Sequence, residues 1–104
     1  MPVADDLIRY AVKLARGTRP KEEGASGFVK EYVAWGAGPR ASQYLILGAK
    51  ARALLEGRYA VSAQDVRAVA LPILRHRVLT NFHAEAQRIT TADVLTRLLE
   101  TISV

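Results

Sequence analysis

No cysteine occurs anywhere in the sequence. Its absence excludes a disulfide framework, a thiolate zinc site and a cysteine nucleophile, and fits a reducing compartment, with the cytoplasm as the expectation. Also missing is any stretch near the roughly 20 apolar residues that a membrane span needs, and the N-terminus lacks the basic-then-apolar layout of a signal peptide. A soluble chain is expected. No glycine-rich phosphate cradle ends in Lys-Ser/Thr, and neither a His and Glu pair at metal spacing nor a nucleophile elbow is present, so no enzymatic activity is expected of this chain alone. The two histidines, His76 and His83, share a face only if one helix runs unbroken between them. No carboxylate at helical spacing completes a set, so no metal site is expected.

What is present is the material of one domain, residues 1–104, with 50% apolar and 24% charged residues. The net charge is +5, and eleven of the fifteen cations are arginine, the side chain suited to bidentate phosphate or carboxylate contacts. A phosphate or polyanion partner therefore has to be considered. The cations are spread from Arg9 to Arg97 with acids among them, which argues against a dedicated nucleic-acid patch.

Periodicity predicts an all-α bundle of four or five helices. Residues 3–16 form an amphipathic helix, with Val3, Leu7, Ala11 and Leu14 on one stripe, acids in the first turn, and Gly17 as the stop. The segment from Gly17 to Gly27 reads as a mobile surface loop, and Phe28 to Trp35 as a short helix. Pro39 opens the longest helix, which runs to Leu55 or Glu56 with Tyr44, Leu45, Leu47, Ala51, Leu54 and Leu55 as a wide apolar face. The next segment, Tyr59 to Val61, leaves room for a short two-stranded pairing. Ser62 and Asp65 have the spacing of a capping box, and Pro72 predicts that the helix they open kinks or ends near Ala70. Thr80 to Gln87 fits loop or helix equally. Thr90 and Asp93 repeat the capping pattern before a last helix.

The anomaly is Arg40. It stands at the start of the longest helix, where amides and macrodipole carry partial positive charge and an added cation costs about 0.3–1 kcal/mol. A guanidinium there makes sense when both share an anion. Gly36 and Gly38 would then let the ligand approach the backbone. The plainer alternative leaves Arg40 solvated or paired with Glu22 or Glu23. Arg75, His76 and Arg77 form a second basic cluster, either a contact to nucleotide or neighbour or a solvated turn. Lys50 and Arg52 have weaker claims, because their methylene stems can simply cover the helix edge.

The run Trp35-Gly36-Ala37-Gly38-Pro39-Arg40-Ala41-Ser42, the stretch Ala49 to Arg58, the cap Val61 to Val66 and the segment Leu74 to Val78 together resemble the C-terminal lid of MoxR-family AAA+ ATPases. The resemblance covers about Tyr32 to Leu99 and departs at Gly38, where the family usually has Ser and a hydroxyl cap. It implies that Arg40 is the sensor 2 arginine, directed at the γ-phosphate of ATP, with Gly36, Gly38 and Pro39 shaping the turn before it. It also implies that ATP and Mg2+ are held by a core domain with no counterpart here, that the chain is an excised lid, and that partners are that core, neighbouring subunits of a hexameric ring and a client protein. A chaperone-like role follows by the same analogy. The rival class is a small helical nucleic-acid-binding module, supported by the +5 charge and a helix-turn-helix pattern from Ala53 to Val69 with its turn at Gly57, but the second helix offers few base-reading side chains beyond Gln64 and Arg67. A third is a protein-interaction bundle with no nucleotide role.

Overall fold

The computed structural model describes residues 2–104. Among them are six helices: α1 (Asp5–Gly17), α2 (Gly27–Tyr32), α3 (Ala41–Leu55), α4 (Ala63–Leu74), α5 (Phe82–Ala86) and α6 (Thr91–Thr101). Two short strands, β1 (Val33–Trp35) and β2 (Leu79–Thr80), pair antiparallel, with Val33 opposite Thr80 and Trp35 opposite Leu79. The helix count exceeds the expected four or five because the undecided segment forms α5, capped by the Asn81 side chain, which accepts from the Ala84 amide at 2.9 Å. The strand pairing is real but lies elsewhere than expected. Tyr59 to Val61 forms no strand, whereas the end of the presumed Phe28–Trp35 helix becomes extended at Val33 and joins Leu79.

Both capping boxes form. Ser62 and Thr90 accept from the amides of Asp65 and Asp93, and each aspartate reaches back to the amide of its cap residue. α4 runs past Pro72 to Leu74 rather than ending near Ala70. Pro72 is exposed, and Ala70 and Leu74 on either side of it both insert into the core. Their burial outweighs the single ladder bond that proline removes.

The core gathers Tyr10, Leu14, Val29, Leu45, Val66, Leu74, Leu95 and Leu98. α3 packs against α4 and α1, but through a narrower stripe than the sequence implies. Its buried residues are Ala41, Leu45, Ala49 and Ala53, one every fourth position, and the larger Tyr44, Leu47, Leu54 and Leu55 face outward. Small side chains let the helices approach closely. A Cβ on Gly48 would sit 2.8 Å from Ile73 Cδ1. The outward face leaves Leu55 at 88% exposure.

Two helices end in the same reversal. Gly57 (φ 75°) closes α3, with the Arg58 amide donating to the Ala53 carbonyl at 2.8 Å and the Gly57 amide to Leu54 at 3.0 Å. Arg88 (φ 59°) closes α5, with the Ile89 amide on Ala84 at 2.8 Å and the Arg88 amide on Glu85 at 3.1 Å. A left-handed arginine pays a steric cost that glycine avoids. Arg88→Gly is expected to stabilise the domain by about 0.5–1 kcal/mol in urea melts.

Candidate functional site

The turn ahead of α3 is fixed by a segment that reads as a mobile loop. Thr18 is buried; its hydroxyl donates to the Ala15 carbonyl at 2.7 Å and accepts from the Ala37 amide at 2.9 Å. Arg19 lies across the same turn, donating from Nε to the Ala37 carbonyl at 2.9 Å and from Nη2 to the Gly38 carbonyl at 3.2 Å. The segment after Gly17 is thus tied down, and no sequence signal marks Thr18 or Arg19 for this role.

The same packing gives Gly36 a structural reason. A Cβ there would meet the Arg19 Cα and the Thr18 carbonyl oxygen, each at 2.6 Å. The glycine admits the chain's own backbone. Gly38, by contrast, has nothing within 4 Å of a notional Cβ. Gly36→Ala is therefore expected to cost about 1–3 kcal/mol through overpacking against backbone. Gly38→Ala should change stability by less than about 0.5 kcal/mol. Denaturant titration of the two variants checks the contrast.

Pro39 precedes α3 rather than occupying its first helical position. The Ala41 amide donates to the Gly38 carbonyl at 3.1 Å, closing a turn with Pro39 and Arg40 at its centre. Arg40 is the N-cap residue of α3 and makes no side-chain cap bond. Its side chain is exposed, with no hydrogen bond or ion pair among the described residues. Neither loop acid serves it: Glu22 is held by Arg16, which donates to it from Nε at 2.9 Å and from Nη2, and Glu23 lies with Glu22 beside Lys13 and Ile102.

Arg40 lines an open cleft of about 370 Å³ together with Gly38, Pro39, Ala41, Tyr44 and Arg77. Of the second basic cluster, only Arg77 reaches this cleft; Arg75 and His76 are exposed outside it. The Arg77 guanidinium carbon sits 4.5 Å from the centroid of the Tyr44 ring, and its Nη1 donates to the Ile73 carbonyl at 3.1 Å. No carboxylate lines the cleft.

Arg52 has a different duty from covering a helix edge. The Asp65 side chain is fully buried, and its Oδ1 receives Arg52 Nη1 at 2.6 Å and Arg58 Nη2 at 2.5 Å. Its Oδ2 receives Arg58 Nη1 at 2.8 Å and the Ser62 amide at 2.8 Å. The Arg58 hydrogen bonds hold this carboxyl well below the usual carboxylate range, aided by Ser62 and Arg52 and opposed by burial. The reversal at Gly57 swings Arg58 back toward Asp65, so the paired charges come from a turn geometry that spacing alone does not reveal.

Two more of the residues singled out in the sequence have partners within the chain. Arg67, a presumed base reader, is engaged internally, donating to the Leu99 carbonyl at 2.9 Å and the Tyr10 hydroxyl at 3.2 Å. His83 lies 3.0 Å from a Glu31 carboxylate oxygen and stacks on Tyr32 with ring centroids 5.4 Å apart. Among the described residues no three His, Asp or Glu side chains converge as metal ligands, and no helix is long and apolar enough to cross a membrane.

The helical bundle with Arg40 at the mouth of its central helix matches a known class. The AAA lid domain family model covers residues 26–98, and the chain belongs to that family. The chaperone MoxR1 of Mycobacterium tuberculosis is 39% identical over 97 residues, which is 93% of this chain and 26% of that protein. Protein MoxR of Paracoccus denitrificans is 47% identical over 53 residues, 51% of this chain and 16% of that protein. A candidate ATPase from Cytophaga hutchinsonii superposes with a TM-score of 0.88 at 33% identity, covering 97% of this chain and 31% of that one. The lid is thus of the MoxR-family AAA+ ATPase type, and the chain spans about a quarter of the length of MoxR1.

Proposed function

We propose that this chain is the lid of a MoxR-type ATPase whose catalytic core lies outside residues 1–104, and that Arg40 contacts the third phosphate of ATP bound to that core. The observation that carries the reading is the state of Arg40: exposed, without an ion-pair partner among the described residues, at the start of α3, in a cleft without carboxylates. A guanidinium and outward-pointing helix amides offer donors to one phosphate group. Mg2+ falls to the core in this reading, and the lid alone hydrolyses nothing, because it brings donors but no base to activate water.

Arg40 donates a charge-assisted hydrogen bond to an oxygen that is present in ATP and gone in ADP. The turn that carries it is braced by Thr18 and Arg19, so force on the guanidinium passes into α3 instead of dissipating in a loose loop. α3 packs on α4 and α1, and the lid moves with it as a body, a hinge closure. The outward Leu47, Leu54 and Leu55 are apolar surface suited to contact with the core or a ring neighbour. Chaperone-like remodelling in a hexameric ring in the cytoplasm is the wider role this coupling would serve. The test is Arg40→Ala in the ATPase that carries this lid: ATP hydrolysis should fall sharply with ADP affinity nearly retained, and unchanged turnover removes Arg40 from the role.

A further inference from the structure

We propose that Arg77 is a second phosphate-binding residue, forming with Arg40 a two-arginine clamp that takes the terminal phosphoryl group of a polyphosphate from two sides. The inference rests on the reading that the Arg40 cleft receives phosphate, and adds a ligand that this reading does not require.

Two arginines from separate elements, the start of α3 and the turn after α4, line one cleft that has no carboxylate residue in its lining. Elsewhere in the molecule close arginines are brought together around an acid, as Arg52 and Arg58 are around Asp65. With no acid among the lining residues, neither charge is neutralised within the cleft until an anion arrives.

Arg77 is also held in place. Its Nη1 donates to the Ile73 carbonyl at the C-terminal end of α4, where the helix dipole favours a cation. Its plane is carried on the Tyr44 ring, 4.5 Å away. These contacts use one N–H and one face, and leave the other donors of the fork free. Tyr44 lies one turn after Arg40, and its amide donates to the Arg40 carbonyl at 3.2 Å. The same helical turn therefore fixes the backbone from which Arg40 projects and supports the Arg77 guanidinium through the Tyr44 ring. Tyr44 is a positioning residue; Arg40 and Arg77 are the ligands. A terminal phosphoryl group, with three free oxygens, can accept from both arginines at once, whereas an internal phosphate offers only two.

The experiment uses the 104-residue chain and inorganic tripolyphosphate at low ionic strength, following the arginine Nε–Hε resonances by NMR. The Arg40 and Arg77 signals should shift together along one saturable curve. Arg77→Gln and Arg40→Gln should each weaken binding at least fivefold. Tyr44→Leu should weaken it about threefold while Tyr44→Phe, which keeps the ring, preserves it, and Arg75→Gln should change it less than twofold. Arg77→Lys, which retains charge but not the fork, should fall between wild type and Arg77→Gln; unchanged amide shifts remote from the cleft verify the fold. A shift of Arg40 without Arg77 overturns the clamp and leaves the Arg40 reading standing. Shifts at Arg77 alone, or at neither residue, overturn the clamp and count against the Arg40 reading as well. Equal losses for Arg75→Gln and Arg77→Gln would mean diffuse attraction of a polyanion to a basic surface, and also overturn it.

Discussion

Asp65→Asn is expected to destabilise the domain by about 3 kcal/mol, near the lower end of what removing one partner from a buried ion pair costs. The carboxylate is fully buried, but the Arg52 and Arg58 side chains are 32% and 37% exposed, so water takes up part of their charge once the anion is gone. An amide at position 65 also turns an NH2 group toward guanidinium donors that need acceptors. The melting temperature should fall by roughly 12–20 °C for a domain of this size. Arg52→Met, which leaves Arg58 and Ser62 on the carboxylate, should cost only about 1 kcal/mol. The pH dependence gives an independent check. The folded-state pKa of Asp65 lies below its unfolded value, so the unfolded chain binds the proton more readily. This contribution is complete above about pH 4 and is lost as pH falls toward the folded pKa. Acid-induced loss of stability below pH 4 should therefore be shallower in Asp65→Asn than in wild type, measured as urea midpoints against pH. Parallel curves would show that Asp65 is not the group being titrated.

This ion-pair centre also explains why so much of the family-like pattern between Ala49 and Val66 concerns architecture. Gly57 reverses the chain, Arg58 returns to Asp65, and Ser62 both caps α4 and donates to the same carboxylate from its amide and its hydroxyl, the latter at 3.1 Å. The joint between α3 and α4 is thereby fixed.

The capping boxes were legible in the sequence because a cap is local: Ser62 and Asp65, or Thr90 and Asp93, sit three residues apart and need no other part of the chain. The amphipathic helix α1 was equally plain, although Tyr10, fully buried in the core, falls outside the stripe that periodicity marks. The central helix was recognisable in existence but not in orientation. Large apolar residues dominate its composition, yet the inward face consists of Ala41, Leu45, Ala49 and Ala53, with Gly48 beside it where a Cβ would sit 2.8 Å from Ile73 Cδ1 of α4. Partner geometry decides that, and a single helix does not contain it. The β1–β2 pairing fails for the same reason, joining Val33 to Thr80 across more than forty residues. At the candidate site, Arg40 stood out because it breaks a local rule about helix ends. Thr18 and Arg19 break none, and their roles arise only when separate segments meet.

Arg40→Ala in the ATPase carrying this lid is expected to lower turnover by about 10²–10³, the usual consequence of removing one preorganised donor aimed at developing transition-state charge, or about 2.7–4 kcal/mol. The size follows from where the charge appears. If the lid sits as proposed, negative charge would move onto oxygens beside Arg40 as the third phosphoryl group transfers to water, and a guanidinium held there in the closed state would stabilise it. ADP lacks that group, so its affinity should change by less than about threefold. That contrast separates a phosphate contact from a folding defect, which would weaken both nucleotides. Arg40→Lys should recover little, about tenfold over alanine, because an ammonium keeps the charge but not the planar fork. The exposure of Arg40 makes the variant structurally mild: no hydrogen bond or ion pair among the described residues depends on it, and relieving an adverse helix-dipole contact should leave the isolated domain as stable as wild type or slightly more so. A variant of undiminished melting temperature with collapsed ATP turnover and intact ADP binding is therefore the outcome required of an arginine that reads the third phosphate. Loss of stability and of both nucleotides together would instead return Arg40 to the ordinary architecture of the bundle.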